Sequence, residues 1–405
     1  MAAFARLSQP ILQTLSRVTG VDFALPEAKT AKEIAHGVAA LSLLFTRRRD
    51  GLADPYLERN ELRRAYLAYY VPVNLAKVQS LLMELPAWPT DPTAAGRPYR
   101  ILDVGSGPGT AVLAVLDWGA RLATGPMRPL ECVAIDRSPM ALSDCSRLWE
   151  AYVSLAPMPG AELRTVCENV ERTSPWKRWE RHSGEPFDLI VLANTLGELF
   201  TSARDPLASR VALVGSLLDL LDPAGTLMII EPALRATSRA LHRLRDRLLE
   251  DKVCTVYSPC LHEHPCPALA KVEDWCHEER PWEPPAVISA VDRAVGLIKD
   301  ALKFSYLLLR KDGRTIVRRG TDVYRVVSEL REMKGEKRVW LCNETGRPEV
   351  GRLDRMRSQS NAAFDEWRRG AIVRIDQIVR GQRKGRDVTL GRIPDSATVE
   401  IIRSV

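Results

Sequence analysis

Residues 99–122 read "YRILDVGSGPGTAVLAVLDWGARL": an apolar run, a glycine-rich turn, then apolar residues at helical spacing. A short apolar run bounded by glycines predicts a strand buried on both faces, entering a helix. Gly105, Gly107 and Gly109 are spaced G-x-G-x-G, which differs from the G-x-G-x-x-G of dinucleotide sites. Glycines in such a turn let backbone approach a ligand, and the helix start offers unpaired N–H groups. Asp103 stands just inside the strand end. A carboxylate there repels a pyrophosphate and attracts an ammonium or a sulfonium.

Strand–helix alternation continues downstream. "ECVAID" (131–136), "AELRTVC" (161–167), "FDLIVLANTL" (187–196) and "GTLMIIEP" (225–232) read as further strands, with helical "SRVALVGSLLDLL" before the last. This alternation predicts an α/β, doubly wound, Rossmann-like sheet with helices on both faces. Asp136 closes the second strand, where a carboxylate can accept hydrogen bonds from ribose hydroxyls. On these motifs, residues 99–235 resemble the class I S-adenosylmethionine-dependent methyltransferases. The resemblance implies that Asp103, Gly105, Gly107, Gly109 and Asp136 hold S-adenosylmethionine. It places Glu168 and Asn169 near the adenine and Asn194 near the methyl group. The fourth strand ends in "ANTLGEL", without the Asn/Asp-Pro-Pro-aromatic turn of many base methyltransferases and without a Pro-Cys nucleophile. No catalytic residue is therefore named. Glu198 either faces the methyl group or caps a helix.

Residues 1–90 read as an N-terminal helical segment. Its start has two Arg, two Ser and no acid before Asp22, which fits an amphipathic helix and also a short organellar presequence. Pro72 should kink or break the helix of "YLERNELRRAYLAYYVPVNLAKVQSLLMEL" (56–85). Tyr66, Tyr69 and Tyr70, with Asn74, either stack on an RNA base or cofactor, or pack as a face against the sheet. "PAWPTDPTAAGRP" (86–98) reads as a linker. The expected organisation is a helical segment (1–90), a Rossmann-like unit (91–253), a Cys/His-rich insertion (254–300), and the last strand of the sheet with a small basic β-rich module (301–405).

The insertion contains "SPCLHEHPCPALAKVEDWCHEERPW" (258–282), which sets Cys260, Cys266 and Cys276 among His262, His264 and His277. Clustered thiols in a long chain without a secretory signal point to a metal site rather than to disulfides. Prolines 259, 265 and 267 stiffen the loop and lower the entropy cost of holding ligands. Cys342, in "VWLCNETG", is the candidate for a fourth thiolate. Four thiolates suit a [4Fe–4S] cluster, whereas three with one of the histidines suit zinc.

"YLAYYVPVNLAKV", "LANTLGEL", "PCLHEHPCPAL", "DWCH" and "WLCNETG" occur in this order. Together they resemble the methyltransferase-like assembly factors of the small ribosomal subunit, known from mitochondria and bacterial relatives. The resemblance runs from about residue 60 to 375. It implies an iron–sulfur cluster on Cys260, Cys266, Cys276 and Cys342, and a role in maturing small-subunit ribosomal RNA. It also implies ribosomal proteins of the assembling subunit as neighbours, and either an active rRNA methyltransferase or a non-catalytic RNA-binding platform.

Charge points the same way. The net charge is +7, and residues 301–405 hold 24 Lys+Arg against 14 Asp+Glu, so the excess lies in the C-terminal module. A basic module attached to a near-neutral unit suits the phosphate backbone of RNA. No apolar run is long enough to span a membrane. The expected protein is a monomer acting in a bacterial cytoplasm or, alternatively, a mitochondrial matrix.

Overall fold

The computed structural model describes residues 5–47, 56–86, 97–122, 128–172, 185–298, 300–383 and 386–404. Most of the 86–98 linker lies outside them. Strands β1 (Tyr99–Val104), β2 (Leu130–Asp136), β3 (Glu162–Cys167), β4 (Phe187–Ala193) and β5 (Leu221–Pro232) run parallel in the order β3-β2-β1-β4-β5. Beyond β5 lies β8 (Ala301–Arg310), antiparallel to it. β6 (Thr255–Ser258) and β7 (Glu278–Pro281) pair in succession along the far edge of β8. The α/β, doubly wound, Rossmann-like sheet expected from the sequence is present.

Alternation along β4 explains its continuous apolar run. Leu189 and Val191 enter one core, and Ile190 and Leu192 enter the other. One face is covered by α1 (Gln9–Thr19), α2 (Ala28–Thr46), α3 (Asn60–Ala65), α4 (Val71–Leu82), α5 (Thr110–Leu122), α6 (Pro139–Leu155) and α9 (Ala286–Val295). The other is covered by α7 (Pro206–Leu220) and α8 (Arg235–Glu250). Local chemistry sets the helix starts. Ser138 and Asp205 accept hydrogen bonds from the N–H groups of Ala141 and Ala208, with a proline following each cap.

Pro72 neither breaks nor ends the helical path. A π-helical turn, Tyr66–Tyr70, joins α3 to α4, and Pro72 sits in the first turn of α4, where its missing N–H costs little.

A second sheet follows, of β9 (Val323–Val326), β10 (Arg331–Met333), β11 (Glu336–Cys342), β12 (Glu349–Leu353), β13 (Ile372–Ile375), β14 (Val379–Arg383), β15 (Arg386–Arg392) and β16 (Val399–Arg403). Its order is β14-β15-β12-β11-β9-β13-β16, with β10 on β11, around Phe364, Trp367, Val339 and Val373. Not all of its positive charge faces solvent. Arg325 and Arg352 are buried, as is Arg310 of β8, whereas Arg355, Arg357 and Arg374 are exposed.

Arg325 helps to lock the two sheets together. It donates to Glu278 Oε2 at 2.7 Å and to the Tyr306 hydroxyl at 2.8 Å. Ser258 Oγ and Tyr306 donate to Glu84 Oε2 at 2.7 and 3.1 Å, and Arg280 pairs with both Glu84 and Glu278. Burial pushes the Glu84 carboxyl up, but Arg280 and Arg325 outweigh it and hold the group below its ordinary range. This network joins the helical segment, the first sheet and β9.

Candidate functional site

The order of the first sheet reverses between β1 and β4, and a crevice of about 100 Å³ opens there at the strand ends. Asp103, Gly105, Gly107, Asp136, Glu168, Asn169 and Asn194 all line it. Gly109 does not. A Cβ at Gly109 would lie 2.3 Å from Cys145 Sγ, so this glycine lets α5 pack against α6. At Gly105, with φ +67°, a Cβ would overlap the Thr195 side chain, whose Oγ1 donates to the Gly105 carbonyl at 3.1 Å. The turn is thereby fixed against the loop after β4.

The two acids differ in their partners. Asp136 Oδ2 accepts from Gly107 N and Oδ1 from Ser138 N, both at 2.8 Å. Burial still pushes its carboxyl up. Asp103 Oδ2 is buried with no hydrogen-bond partner. Burial pushes the Asp103 carboxyl up to about 7; a backbone hydrogen bond from Val112 opposes this, and the Asp136 charge adds to it. An uncompensated buried acceptor at a cavity wall is a place prepared for a donor.

The crevice also has walls that sequence reasoning missed. Tyr56 and Thr195 line it alongside Tyr66 and Asn74. Tyr66 therefore faces the site, whereas Tyr69 is buried and donates to Asp292. Glu198 ends a short 3-10 turn and lines the crevice.

A family model described as "Mitochondrial small ribosomal subunit Rsm22" matches residues 61–353. The chain belongs to the Rsm22 family. No curated protein matches it. Three solved structures show weak likeness. A Listeria monocytogenes protein assigned to the class I S-adenosylmethionine-dependent methyltransferases is 11% identical, over 77% of this chain and 90% of that one, at a TM-score of 0.39. A Burkholderia thailandensis O-methyltransferase family protein is 15% identical, over 67% and 64%, at 0.32. The methyltransferase CcbJ of Streptomyces caelestis is 17% identical, over 39% of this chain and 52% of its own length, at 0.26. The chain thus spans about half the length of CcbJ.

In this Rsm22-family chain the cysteine-bearing segment folds onto α8 and meets β11. Cys260, Cys276 and Cys342 line one cavity of about 40 Å³, and Cys342 Sγ lies 3.6 Å from His262 Nε2. Cys266 is close enough for its charge to be felt by Cys342. Burial, and then the neighbouring Cys276, Cys260 and Cys266, push the Cys342 thiol well up. Cys276 is pushed up to about 11 by burial, against the pull of Arg347. Among the described residues, no three His, Cys, Asp or Glu side chains are grouped closely enough to hold a single metal ion.

Residues remote in sequence complete the surroundings. Fully buried Arg245 donates to the carbonyls of His262 and His264, and Asp246 accepts from Cys266 N at 2.9 Å. His242 Nε2 lies 3.1 Å from the Cys276 carbonyl. Burial pulls both His242 and His262 down to about 4, so both are neutral near pH 7. In sequence α8 shows only an amphipathic pattern, and nothing there distinguishes the arginine that would hold this loop from a solvated one.

Proposed function

We propose that this chain is an assembly factor of the small ribosomal subunit, binding S-adenosylmethionine in the crevice and small-subunit rRNA through the exposed arginines of the second sheet. Ribosomal proteins of the assembling particle would be its neighbours. The observation that carries the cofactor reading is the buried, unpartnered Asp103 Oδ2 beside a glycine turn at the strand-order reversal. In this reading Asp103 accepts from the ammonium of the ligand and Asp136 from the ribose hydroxyls. Glu168 and Asn169 border the adenine. The cofactor, when bound, supplies an electrophilic methyl on a sulfonium. Calorimetry with S-adenosylmethionine and its demethylated product, with co-sedimentation on small-subunit particles, tests both halves. Absence of both interactions would overturn the reading.

For the four thiols the proposal is a [4Fe–4S] cluster on Cys260, Cys266, Cys276 and Cys342, with zinc as the alternative. Tetrahedral zinc with bonds near 2.3 Å needs thiolates about 3.8 Å apart. A cluster spreads its four irons and takes more widely set sulfurs. The nearness of Cys260, Cys266 and Cys276 to Cys342 supports one shared site for the four thiols. Buried Arg245 and half-buried Arg347 would offset its negative charge. Anaerobic purification with iron, sulfide and zinc analysis decides between them.

A second reading, an active rRNA methyltransferase, is favoured by one feature: Asn194 and Glu198 line both the crevice and a larger chamber beside it. Mass-spectrometric mapping of methylated rRNA positions with and without the protein tests it. Among the described residues no helix is long and apolar enough to cross a membrane. The family description supports the mitochondrial matrix over a bacterial cytoplasm as the compartment.

A further inference from the structure

The chamber beside the cofactor crevice holds about 450 Å³, within the range of sites that enclose a small organic ligand. It borders the crevice, and Tyr56, Tyr66, Asn74, Asn194 and Glu198 line both. Its walls carry two stacked ring pairs from distant parts of the chain. Tyr66 and Tyr70 have centroids 5.5 Å apart at 25°, and Trp275 and His277 are 6.0 Å apart at 18°. Phe45 meets Tyr70 edge-on at 5.1 Å and buttresses the first pair.

The backbone is specialised on two sides of this space. Tyr66 and Tyr70 bound the π-helical turn, in which Val71 N donates to the Tyr66 carbonyl; such turns are rare and recur at functional sites. In the loop after β4, Asn194, which lines the chamber, holds φ at +59°.

The chemistry of the walls selects among ligands. Aromatic cages often take cations. Here, however, Lys77 brings its own positive charge into the wall, its Nζ 3.0 Å from Asn74 Oδ1. The acids are already engaged: Glu198 has a partner of its own, Glu231 accepts from Gly197 N, and Glu279 pairs with His277, Lys303 and Arg369. Flat aromatic surfaces with polar edges and no uncommitted anion suit a neutral planar heterocycle. The contact of Glu279 with Arg369 also links this wall to the basic second sheet.

We infer that the chamber receives a single unpaired nucleobase, extruded from an RNA whose backbone lies on the second sheet. Stacking on the tyrosine and Trp275/His277 walls would hold the base, as in other proteins that take a base out of its stack. The inference rests on the RNA-binding reading above, and its test separates the two.

Protein saturated with S-adenosylhomocysteine, so that the crevice cannot take a nucleoside, is titrated with adenosine and cytidine monophosphates and with ribose 5-phosphate. The same protein is titrated with a hairpin RNA carrying 2-aminopurine in its loop. The nucleotides should bind and ribose phosphate should not. Tyr70→Leu should weaken nucleotide binding about tenfold or more, the usual loss for one stacked base, and Tyr70→Phe should restore it. The hairpin's 2-aminopurine emission should change on binding to native protein and not to Tyr70→Leu. Arg355→Glu with Arg357→Glu should weaken hairpin binding and leave mononucleotide binding intact. Hairpin binding with unchanged emission, and no mononucleotide binding, would overturn the chamber assignment alone. Mononucleotide binding without hairpin binding would overturn the RNA reading and keep the chamber's ligand class. A preference for trimethylammonium ligands over nucleotides would also overturn the inference.

Discussion

Replacing Asp103 with Asn should make the ligand-free protein more stable at pH 8 while weakening S-adenosylmethionine binding. The Asp103 side chain is 1% exposed, and its carboxyl is pushed from an ordinary 3.8 up to about 7, burial being the main cause. A folded-state value above the unfolded one means that the native state holds a proton which the unfolded chain has lost. That contribution to stability is complete below pH 3.8 and is lost as pH rises through about 7. Each pH unit between those values is worth about 1.4 kcal/mol. From pH 5 to pH 8 the native protein should therefore lose roughly 3 kcal/mol relative to Asp103→Asn. The amide brings its own cost of about 1–3 kcal/mol where its N–H groups go unpaired, but that cost is the same at both pH values and cancels in the difference. Urea denaturation of both proteins at pH 5 and pH 8 gives the difference directly. Calorimetry should show S-adenosylmethionine affinity reduced tenfold or more in the variant, the loss expected for a charged hydrogen bond. A stability difference that does not change with pH would refute the buried-proton account. Unchanged cofactor affinity would refute the placing of the ligand beside Asp103.

Asp136→Ala should cost about 1.5–3 kcal/mol of cofactor binding by calorimetry, and no loss would remove this residue from the site. Arg325→Met leaves Glu278 and Glu84 with one fewer cation in a buried network and should destabilise the protein by about 3–5 kcal/mol in urea; a neutral effect would mean that packing alone joins the sheets. Arg355→Glu with Arg357→Glu should weaken RNA binding and flatten its salt dependence without unfolding the chain, as both side chains are exposed; unchanged binding would move the RNA elsewhere. If the four thiols hold a cluster, Cys342→Ser should lose iron to the same extent as Cys260→Ser, and an intact chromophore would show that the thiol site closes without β11. Protease should then cut at the exposed tip 311–314, because beyond it Ile316 N and Arg319 Nη2 hold β6 at 3.0 and 2.7 Å.

The sheet and the acid-and-glycine wall of the crevice are legible in the sequence because their signals are local. A strand buried on both faces is a run such as 187–193, and a turn that needs positive φ is a glycine such as Gly105. Acids at the ends of β1 and β2 were likewise readable, since parallel strands bring their C-terminal ends to one edge. Gly109 was read into the crevice because spacing does not say whether a glycine faces a ligand or a neighbouring helix. What only tertiary structure decided was long-range. The convergence of Cys342 on the 260–276 segment was suggested by resemblance, but its mates Arg245, His242 and Arg347 come from other elements. The chamber unites Tyr70 with Trp275, 205 residues apart. Net charge counted Arg310, Arg325 and Arg352 as free surface, although the fold buries all three in hydrogen bonds and ion pairs. Local sequence sets dihedral angles and faces; which faces meet, and so which side chains share a cavity or a charge, is settled by the packing of the whole chain.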